Sequence, residues 1–227
     1  MTALIAQLDT AETLSPDLLG YGSQAAHLAV TLEKQADHVA AAAATLVQPV
    51  VLVGHSLGGV VAMLVAERHP QQVVGLVSIE GNMAPANAFF SAALAESAPA
   101  IVAQRILAAQ ADPEAYLRDA DLPPTPARVA LAREWLARQG SDALQAAARA
   151  VVEVTFAPDW LDRLSDVLAA TPYALLAGER SATVWAVPDA IGRGARGSEI
   201  VTGTGHFLPA EAPAEVGAAL RRLIALI

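Results

Sequence analysis

Cysteine is absent from this 227-residue chain. Its absence excludes disulfide bonds, thiolate zinc sites and thiol nucleophiles, so any side-chain nucleophile must be an oxygen or an amine. A chain of this length can bury a sufficient core without such cross-links. The lack of cysteine is more typical of a reducing compartment, and no basic residue precedes Lys34 to begin a signal peptide. We therefore expect a cytoplasmic protein.

Basic residues are also scarce, since 14 Lys and Arg stand against 23 Asp and Glu and give a net charge of −9. Affinity for nucleic acid depends mainly on Lys and Arg that displace counterions, so we expect no nucleic-acid partner. Charged residues make up only 16% of the chain and hydrophobic residues 54%, a balance that excludes a disordered protein. The composition predicts a folded domain.

One long stretch has no charge at all. Residues from Val39 to Ala66 include no Asp, Glu, Lys or Arg, and the stretch is long enough to cross a bilayer. Pro49 and three glycines interrupt it, which suits two elements joined by a tight turn better than one continuous helix. We therefore predict no membrane-spanning segment.

Apolar runs alternate with helical periodicities near both ends of the chain. Short aliphatic runs without polar alternation are typical of parallel strands buried on both faces. Apolar residues spaced three and four apart predict helices that pack on such strands. Together they predict an α/β fold, a mostly parallel sheet flanked by helices. The predicted strands are 13–17, 49–53, 73–79, 173–178 and 198–203, and the predicted helices are 3–8, 23–46, 60–68, 160–168 and 213–227.

From residue 82 to residue 159 the pattern changes to helices without strands, predicted at 85–97, 101–110, 126–139 and 141–154. A helical block inserted between two strands is most simply a lid over the carboxyl edge of the sheet. We therefore predict a core of residues 1–81 and 160–227 and a helical lid of residues 82–159. Large apolar side chains of the lid are candidate walls of a substrate pocket, although this spacing more often marks core residues. They are Met83, Phe89, Phe90, Leu94, Trp135 and Phe156.

The sequence Gly54-His55-Ser56-Leu57-Gly58 matches G-x-S-x-G between a predicted strand and a predicted helix. This motif forms a sharp turn that projects the serine hydroxyl from the top of the sheet, and its glycines make room for the turn. The start of the following helix directs backbone N–H groups at developing negative charge. Ser56 is therefore the predicted nucleophile, and its neighbour His55 is a candidate substrate contact.

A serine nucleophile needs a base within hydrogen-bond reach and a group that orients this base. Of the five histidines, His206 is best placed, because it follows the last predicted strand on a loop that Gly203 and Gly205 loosen. Glu80 ends the strand that follows the Ser56 helix and is the predicted orienting acid. Asp189 is the alternative acid.

Five segments resemble the α/β-hydrolase superfamily with a cap domain. They are PDLLGYGS at 16–23, VVLVGHSLGG at 50–59, HPQQVVGLVSIEG at 69–81, YALLAGERS at 173–181 and GTGHFLPAEAPAEV at 203–216. The resemblance implies the family's fold and its chain order of nucleophile, acid and base, here Ser56, Glu80 and His206. Many relatives carry the acid where Ser181 stands, and in this chain Glu179 is the reserve candidate near that position. Others carry it where Glu80 stands.

The resemblance also implies further N-terminal strands and a His-Gly loop that supplies a second N–H to the oxyanion hole, and this sequence lacks both. The Leu57 N–H is then the oxyanion donor that we can name, and the loss of one donor typically slows a reaction about 100- to 1,000-fold. Segment 13–17 corresponds to the family's fourth strand, so strand 49–53 has an open edge unless the fourth strand moves across or a second copy of the chain covers it as a homo-oligomer. We expect that the working protein has a further N-terminal piece.

The resemblance implies acyl transfer through an ester of Ser56, which water activated by His206 then hydrolyses. Epoxide hydrolases and haloalkane dehalogenases of the superfamily use Asp at the nucleophile position, so Ser56 excludes them. We expect a small-molecule substrate with a carboxylic ester or related acyl bond, no cofactor and no metal. The alternative is a non-catalytic or truncated member that serves as a binding domain.

Overall fold

The centre of the fold is a sheet of four parallel strands in the order β1-β2-β3-β4. The computed structural model describes residues 2–8, 12–27, 31–46 and 49–227 of the chain. Both the α/β class and the parallel sheet flanked by helices are confirmed. The strands are β1 at Val50–His55, β2 at Val73–Ile79, β3 at Tyr173–Gly178 and β4 at Gly197–Val201.

Helices account for most of the remaining described residues. In chain order they are α1 at Thr2–Ile5, α2 at Leu32–Ala43, α3 at Leu57–Arg68, α4 at Phe89–Glu96, α5 at Pro99–Ala111, α6 at Pro113–Asp119, α7 at Pro126–Ala137, α8 at Ser141–Thr155, α9 at Trp160–Ala170, α10 at Asp189–Gly194, α11 at Leu208–Glu211 and α12 at Pro213–Ile224.

The helices cover both faces of the sheet because successive side chains of a strand point to opposite sides. Leu76 and Leu175 belong to a cluster on one face, which α2, α3, α8 and α9 complete. Val77 and Leu176 belong to a cluster on the other face with α1, α11 and α12. All four strands are parallel, so their carboxyl ends meet at one edge.

The predicted strand at 13–17 is wrong. Pro16 has no N–H to donate to a strand ladder. The Asp17 carboxylate accepts hydrogen bonds from the N–H and the hydroxyl of Ser23, at 2.8 and 2.9 Å, and these hold the segment in a loop. Within the described residues β1 therefore pairs with β2 alone, and Val50–Val53 are half-buried instead of buried on both faces.

The predicted helix at 23–46 is too long at its start. Helix α2 begins only at Leu32, where the Thr31 hydroxyl accepts a hydrogen bond from the Lys34 N–H at 3.3 Å and caps the first turn. Leu28, the first residue of the predicted apolar stripe, lies outside the described residues. Helices α6, α10 and α11 are not predicted from periodicity because seven, six and four residues are too few to show it.

The chain between β2 and α9 is helical, as the sequence predicts, and we name its residues 85–155 the helical segment. Two of its helices, α6 and α7, enclose a small core that includes Leu117 and Ala132. Phe207 and Ala210 pack against this core, which brings the helical segment against the loop after β4. The division into core and lid remains a prediction.

The uncharged stretch from residue 39 to residue 66 spans the end of α2, all of β1 and most of α3, as its interruptions predict. Among the described residues no single helix is both long and apolar enough to cross a membrane. Residues Pro85–Glu96 and Pro99–Ala111 are long and apolar enough only when they are taken together, and the chain bends by 107° between them.

The indole of Trp160 at the start of α9 binds the chain just before the helical segment, and its removal tests this contact. Trp160 is fully buried and its Nε1–H donates to the Met83 carbonyl at 3.1 Å. We expect Trp160→Phe to lower the free energy of unfolding by about 3 kcal/mol, because it leaves a cavity and an unpaired buried carbonyl. Urea denaturation measures the change. The control Trp135→Phe, at a half-buried indole, should cost under about 1 kcal/mol, and equal losses in the two variants would contradict this role of Trp160.

Candidate active site

Ser56 stands on a sharp turn between β1 and α3. Its backbone angles, φ 54° and ψ −120°, lie where residues other than glycine are strained by about 1 to 3 kcal/mol. A hydrogen bond of 3.0 Å from the Ser56 N–H to the Ile79 carbonyl holds the turn against β2. Residue 54 must be a glycine for steric reasons, because a Cβ there would lie 2.3 Å from the Gly58 oxygen.

Gly58, the last residue of the motif, and the adjacent Gly59 have different surroundings. A Cβ on Gly59 would lie 2.6 Å from the Gly81 Cα, so this glycine lets the start of α3 approach the chain just after Glu80. A Cβ on Gly58 would meet nothing within 4 Å. The prediction that Gly58 makes room for the turn is therefore wrong.

Glu80 is a buried carboxylate at the carboxyl end of β2. Its side chain is 3% exposed, and its Oε2 lies 2.7 Å from His206 Nδ1. Its Oε1 accepts hydrogen bonds from the Gly178 N–H at 2.7 Å and the Ser181 hydroxyl at 2.5 Å. Burial acts to raise the pKa of Glu80, but hydrogen bonds from His206, Ser181 and Gly178 outweigh it and hold the pKa below its usual value. Glu80 is thus ionised at neutral pH.

His206 lies on the loop between β4 and α11, and its side chain is 40% exposed. Because the ionised carboxylate of Glu80 can only accept, His206 Nδ1 carries the proton of their hydrogen bond. In the tautomer with a single ring proton, Nε2 is then the acceptor. The sequence-predicted base and acid are therefore in direct contact. Within the described residues the Ser56 hydroxyl makes no hydrogen bond.

His55 supports the loop that carries His206. Its Nε2 lies 2.7 Å from the His206 carbonyl, and the two ring centroids are 4.7 Å apart. Burial, followed by the positive charge that His206 can carry, lowers the pKa of His55 to about 4. His55 is therefore neutral at pH 7 with its proton on Nε2, which it donates to the carbonyl. The sequence predicts that His55 contacts substrate, and the contact that the structure shows for it is this hydrogen bond to the His206 carbonyl.

The alternative acids lie elsewhere. Asp189 is 92% exposed in the first turn of α10, with Arg193 as its nearest basic partner at 3.7 Å. Glu179 accepts a hydrogen bond of 2.8 Å from the Gly203 N–H and so supports the loop before His206. Only Glu80, of the three acids that the sequence suggests, contacts the histidine.

The predicted pocket walls lie in three kinds of surroundings. Met83 and Leu94 are buried in core clusters, whereas Phe89, Phe90 and Phe156 are exposed. Trp135 stacks on Phe207, with ring centroids 6.3 Å apart, and Phe207 follows His206 in the chain. Phe207 is missing from the sequence prediction, although its place beside the predicted base could have suggested it.

Arg180 is a second residue that the sequence analysis misses. Its guanidinium donates to the carboxylate and carbonyl of Asp121, each at 2.8 Å, and to Glu211 Oε2 at 2.9 Å. It also donates to the Gly203 carbonyl, while Glu211 Oε1 accepts from the Gly205 N–H at 2.7 Å. Arg180 thus ties the helical segment to the loop that holds His206.

Two further features bear on the chemistry of the site. The N–H of Leu57, the first residue of α3, donates to no protein acceptor within the described residues. Among all the residues that the structure describes, no three His, Asp or Glu side chains lie close enough together to hold a metal ion. The arrangement presents a histidine hydrogen-bonded to a buried carboxylate and, at the same edge of the sheet, a serine on a strained turn.

A model of the alpha/beta hydrolase family matches residues 1–219, and the chain belongs to this family. No curated protein sequence matches it. Three solved structures share its fold at low sequence identity. They are a thermophilic esterase from Thermogutta terrifontis (22% identity, 99% of this chain and 84% of that chain, TM-score 0.67), the epoxide hydrolase CorEH (18%, 99% and 86%, 0.70) and Est816, described as an N-acyl homoserine lactone degrading enzyme (21%, 91% and 80%, 0.59).

The low pKa of His55 predicts a window of pH in which stability falls. The unfolded chain takes up a proton near pH 6.5 and the folded chain only near pH 4, so stability is full above pH 6.5 and declines as the pH falls toward 4. We expect a loss of about 1 to 2 kcal/mol between pH 7 and pH 5 from this residue.

His55→Gln isolates this contribution, because the glutamine amide can still donate to the His206 carbonyl but does not titrate. Urea denaturation at pH 7, 6 and 5 should show a shallower decline in the variant. The pKa of Glu80 is lowered below its usual value, so Glu80 stays ionised between pH 7 and pH 5 and does not contribute to this decline. Identical pH dependence in the two proteins would show that His55 is not buried in neutral form.

Proposed function

We propose that this chain is a serine hydrolase that cleaves a carboxylic ester or related acyl bond of a small molecule. Ser56 is the nucleophile, His206 the general base and Glu80 the orienting acid. The observation that carries this proposal is the 2.7 Å hydrogen bond between the buried Glu80 carboxylate and His206, at the sheet edge where Ser56 stands on its strained turn. Membership of the alpha/beta hydrolase family supports a hydrolase.

The reaction follows from the protonation states of the site. Glu80 keeps the proton of the neutral His206 ring on Nδ1, so Nε2 can take the proton of the Ser56 hydroxyl as its oxygen attacks the acyl carbon. The negative charge that develops on the acyl oxygen meets the Leu57 N–H at the start of α3. His206 then gives its proton to the leaving alcohol, and Ser56 remains acylated.

The second half of the reaction reverses these roles with water. His206 Nε2 takes a proton from a water molecule, whose oxygen attacks the acyl carbon of the Ser56 ester. Collapse of this intermediate breaks the bond to Ser56, whose oxygen regains the proton from His206. The carboxylic acid leaves, and the site returns to its initial state without a cofactor.

The contacts of the helical segment support the lid prediction. Trp135 of α7 stacks directly on Phe207, the neighbour of His206. Asp121, just after α6, binds Arg180, which in turn donates to the Gly203 carbonyl of the loop that carries His206. We infer that the segment covers the site and supplies apolar walls around Phe207. A small substrate with an apolar acyl or alcohol part fits such a site best.

A fluorophosphonate probe tests the nucleophile without knowledge of the substrate, because it labels a serine only when a base activates it. We expect intact-mass spectrometry to show one adduct on the wild-type chain and none on Ser56→Ala. More than one adduct, or an adduct that survives in the variant, would contradict the assignment. A folded wild-type chain without any adduct would favour the non-catalytic alternative.

Glu80→Gln tests the acid. We expect the rate of labelling, or of hydrolysis of a short ester, to fall about 1,000-fold, because an amide cannot hold a histidinium as a carboxylate does. Asp189→Asn is the matched control, since this exposed carboxylate makes no contact with His206. It should stay within about twofold of the wild type. The opposite result would identify Asp189 as the acid.

A further inference from the structure

We propose that Ser181 is a positioning residue that fixes the orientation of the Glu80 carboxylate toward His206. This inference rests on the proposed function of Glu80 and His206. Ser181 stands in the turn directly after β3, and its hydroxyl donates to Glu80 Oε1 at 2.5 Å. Within the described residues the hydroxyl forms hydrogen bonds with Glu80 and, at 3.3 Å, with the Gly178 carbonyl, so it acts on the reaction through Glu80.

The two oxygens of the Glu80 carboxylate have separate partners. Oε1 receives the N–H of Gly178, the last residue of β3, and the hydroxyl of Ser181 in the turn after it, while Oε2 receives His206 Nδ1. The terminal torsion of a glutamate side chain is soft, so backbone geometry alone does not set the plane of its carboxylate. Two donors on one oxygen set this plane and direct the other oxygen at the imidazole.

The backbone at Glu80 is held by other groups. Its φ of 46° is strained, and its N–H donates to the Leu176 carbonyl at 3.1 Å. The Trp185 indole, in the same loop as Ser181, donates to the Gly81 carbonyl at 2.9 Å. Loss of the Ser181 hydroxyl therefore leaves the backbone of Glu80 in place and removes only a constraint on its carboxylate.

Removal of this hydroxyl should change the reaction rate and its pH dependence together. Without the Ser181 hydroxyl the Glu80 carboxylate rotates more freely, so its hydrogen bond to His206 weakens and it stabilises the protonated ring less well in the transition state. We expect Ser181→Ala to lower kcat about tenfold with KM within about twofold, and to move the acid limb of the kcat profile to lower pH by about half a unit. Substrate binding has no reason to change.

The experiment compares Ser181→Ala with two matched variants on a short ester. Ser181→Thr keeps the hydroxyl and should restore both kcat and the acid limb. Ser165→Ala removes a hydroxyl from the exposed side of α9, where it donates to the Leu161 carbonyl, and should leave both at wild-type values. Thermal melting of each variant separates a loss of fold from a loss of rate.

A readout that does not depend on turnover is the NMR resonance of the His206 Nδ1 proton, which reports the hydrogen bond to Glu80. We expect this resonance to move in Ser181→Ala and to return in Ser181→Thr. Wild-type kcat, pH profile and resonance in a folded Ser181→Ala variant would overturn the inference. If Glu80→Gln lost activity while Ser181→Ala did not, the proposed function would stand without it. If Glu80→Gln kept full activity, the proposed function and this inference would both fail.

Discussion

The hydrogen bond between Glu80 and His206 is the interaction on which the architecture of the site depends. A carboxylate removed from water is unstable unless donors replace its hydration. Glu80 satisfies this requirement with three donors, which come from the last residue of β3, from the turn after β3 and from the loop after β4. A single buried charge thus joins the carboxyl ends of three neighbouring strands, and the parallel direction of the sheet brings those ends together.

The loop that carries His206 is fixed from outside as well as from inside. His55 donates to the His206 carbonyl from the end of β1, and Glu211 accepts from the Gly205 N–H. Arg180 and Phe207 extend these contacts to the helical segment. The position of the imidazole is therefore the joint result of the sheet, the loop and the helices above it.

Patterns that reflect local chemistry could be read from the sequence. The uninterrupted apolar run at Val73–Ile79 has the bounds of β2, and the glycines around Ser56 indicated a sharp turn. Glu80 and His206 could be paired because each follows a strand, and parallel strands end at the same edge. Such inferences need only the order of elements along the chain.

Features that depend on distant partners could not be read in this way. Segment 13–17 resembles the family's fourth strand, but Ser23 folds it into a loop through Asp17. Arg180 and Ser181 gain their importance from residues at 121, 211 and 80, which no local pattern connects with them. The exposed positions of Phe89 and Phe90 likewise follow from tertiary packing and not from the helical period.

The edge position of β1 within the described sheet has a consequence for the nucleophile. Glu80 follows a strand with neighbours on both sides, whereas Ser56 follows one held by β2 alone. Edge elements open locally at a lower free energy than the whole domain. Fraying of β1 would separate Ser56 from Glu80 and His206 while these two are still in contact, so the proposed reaction would stop on heating before the rest of the fold unravels.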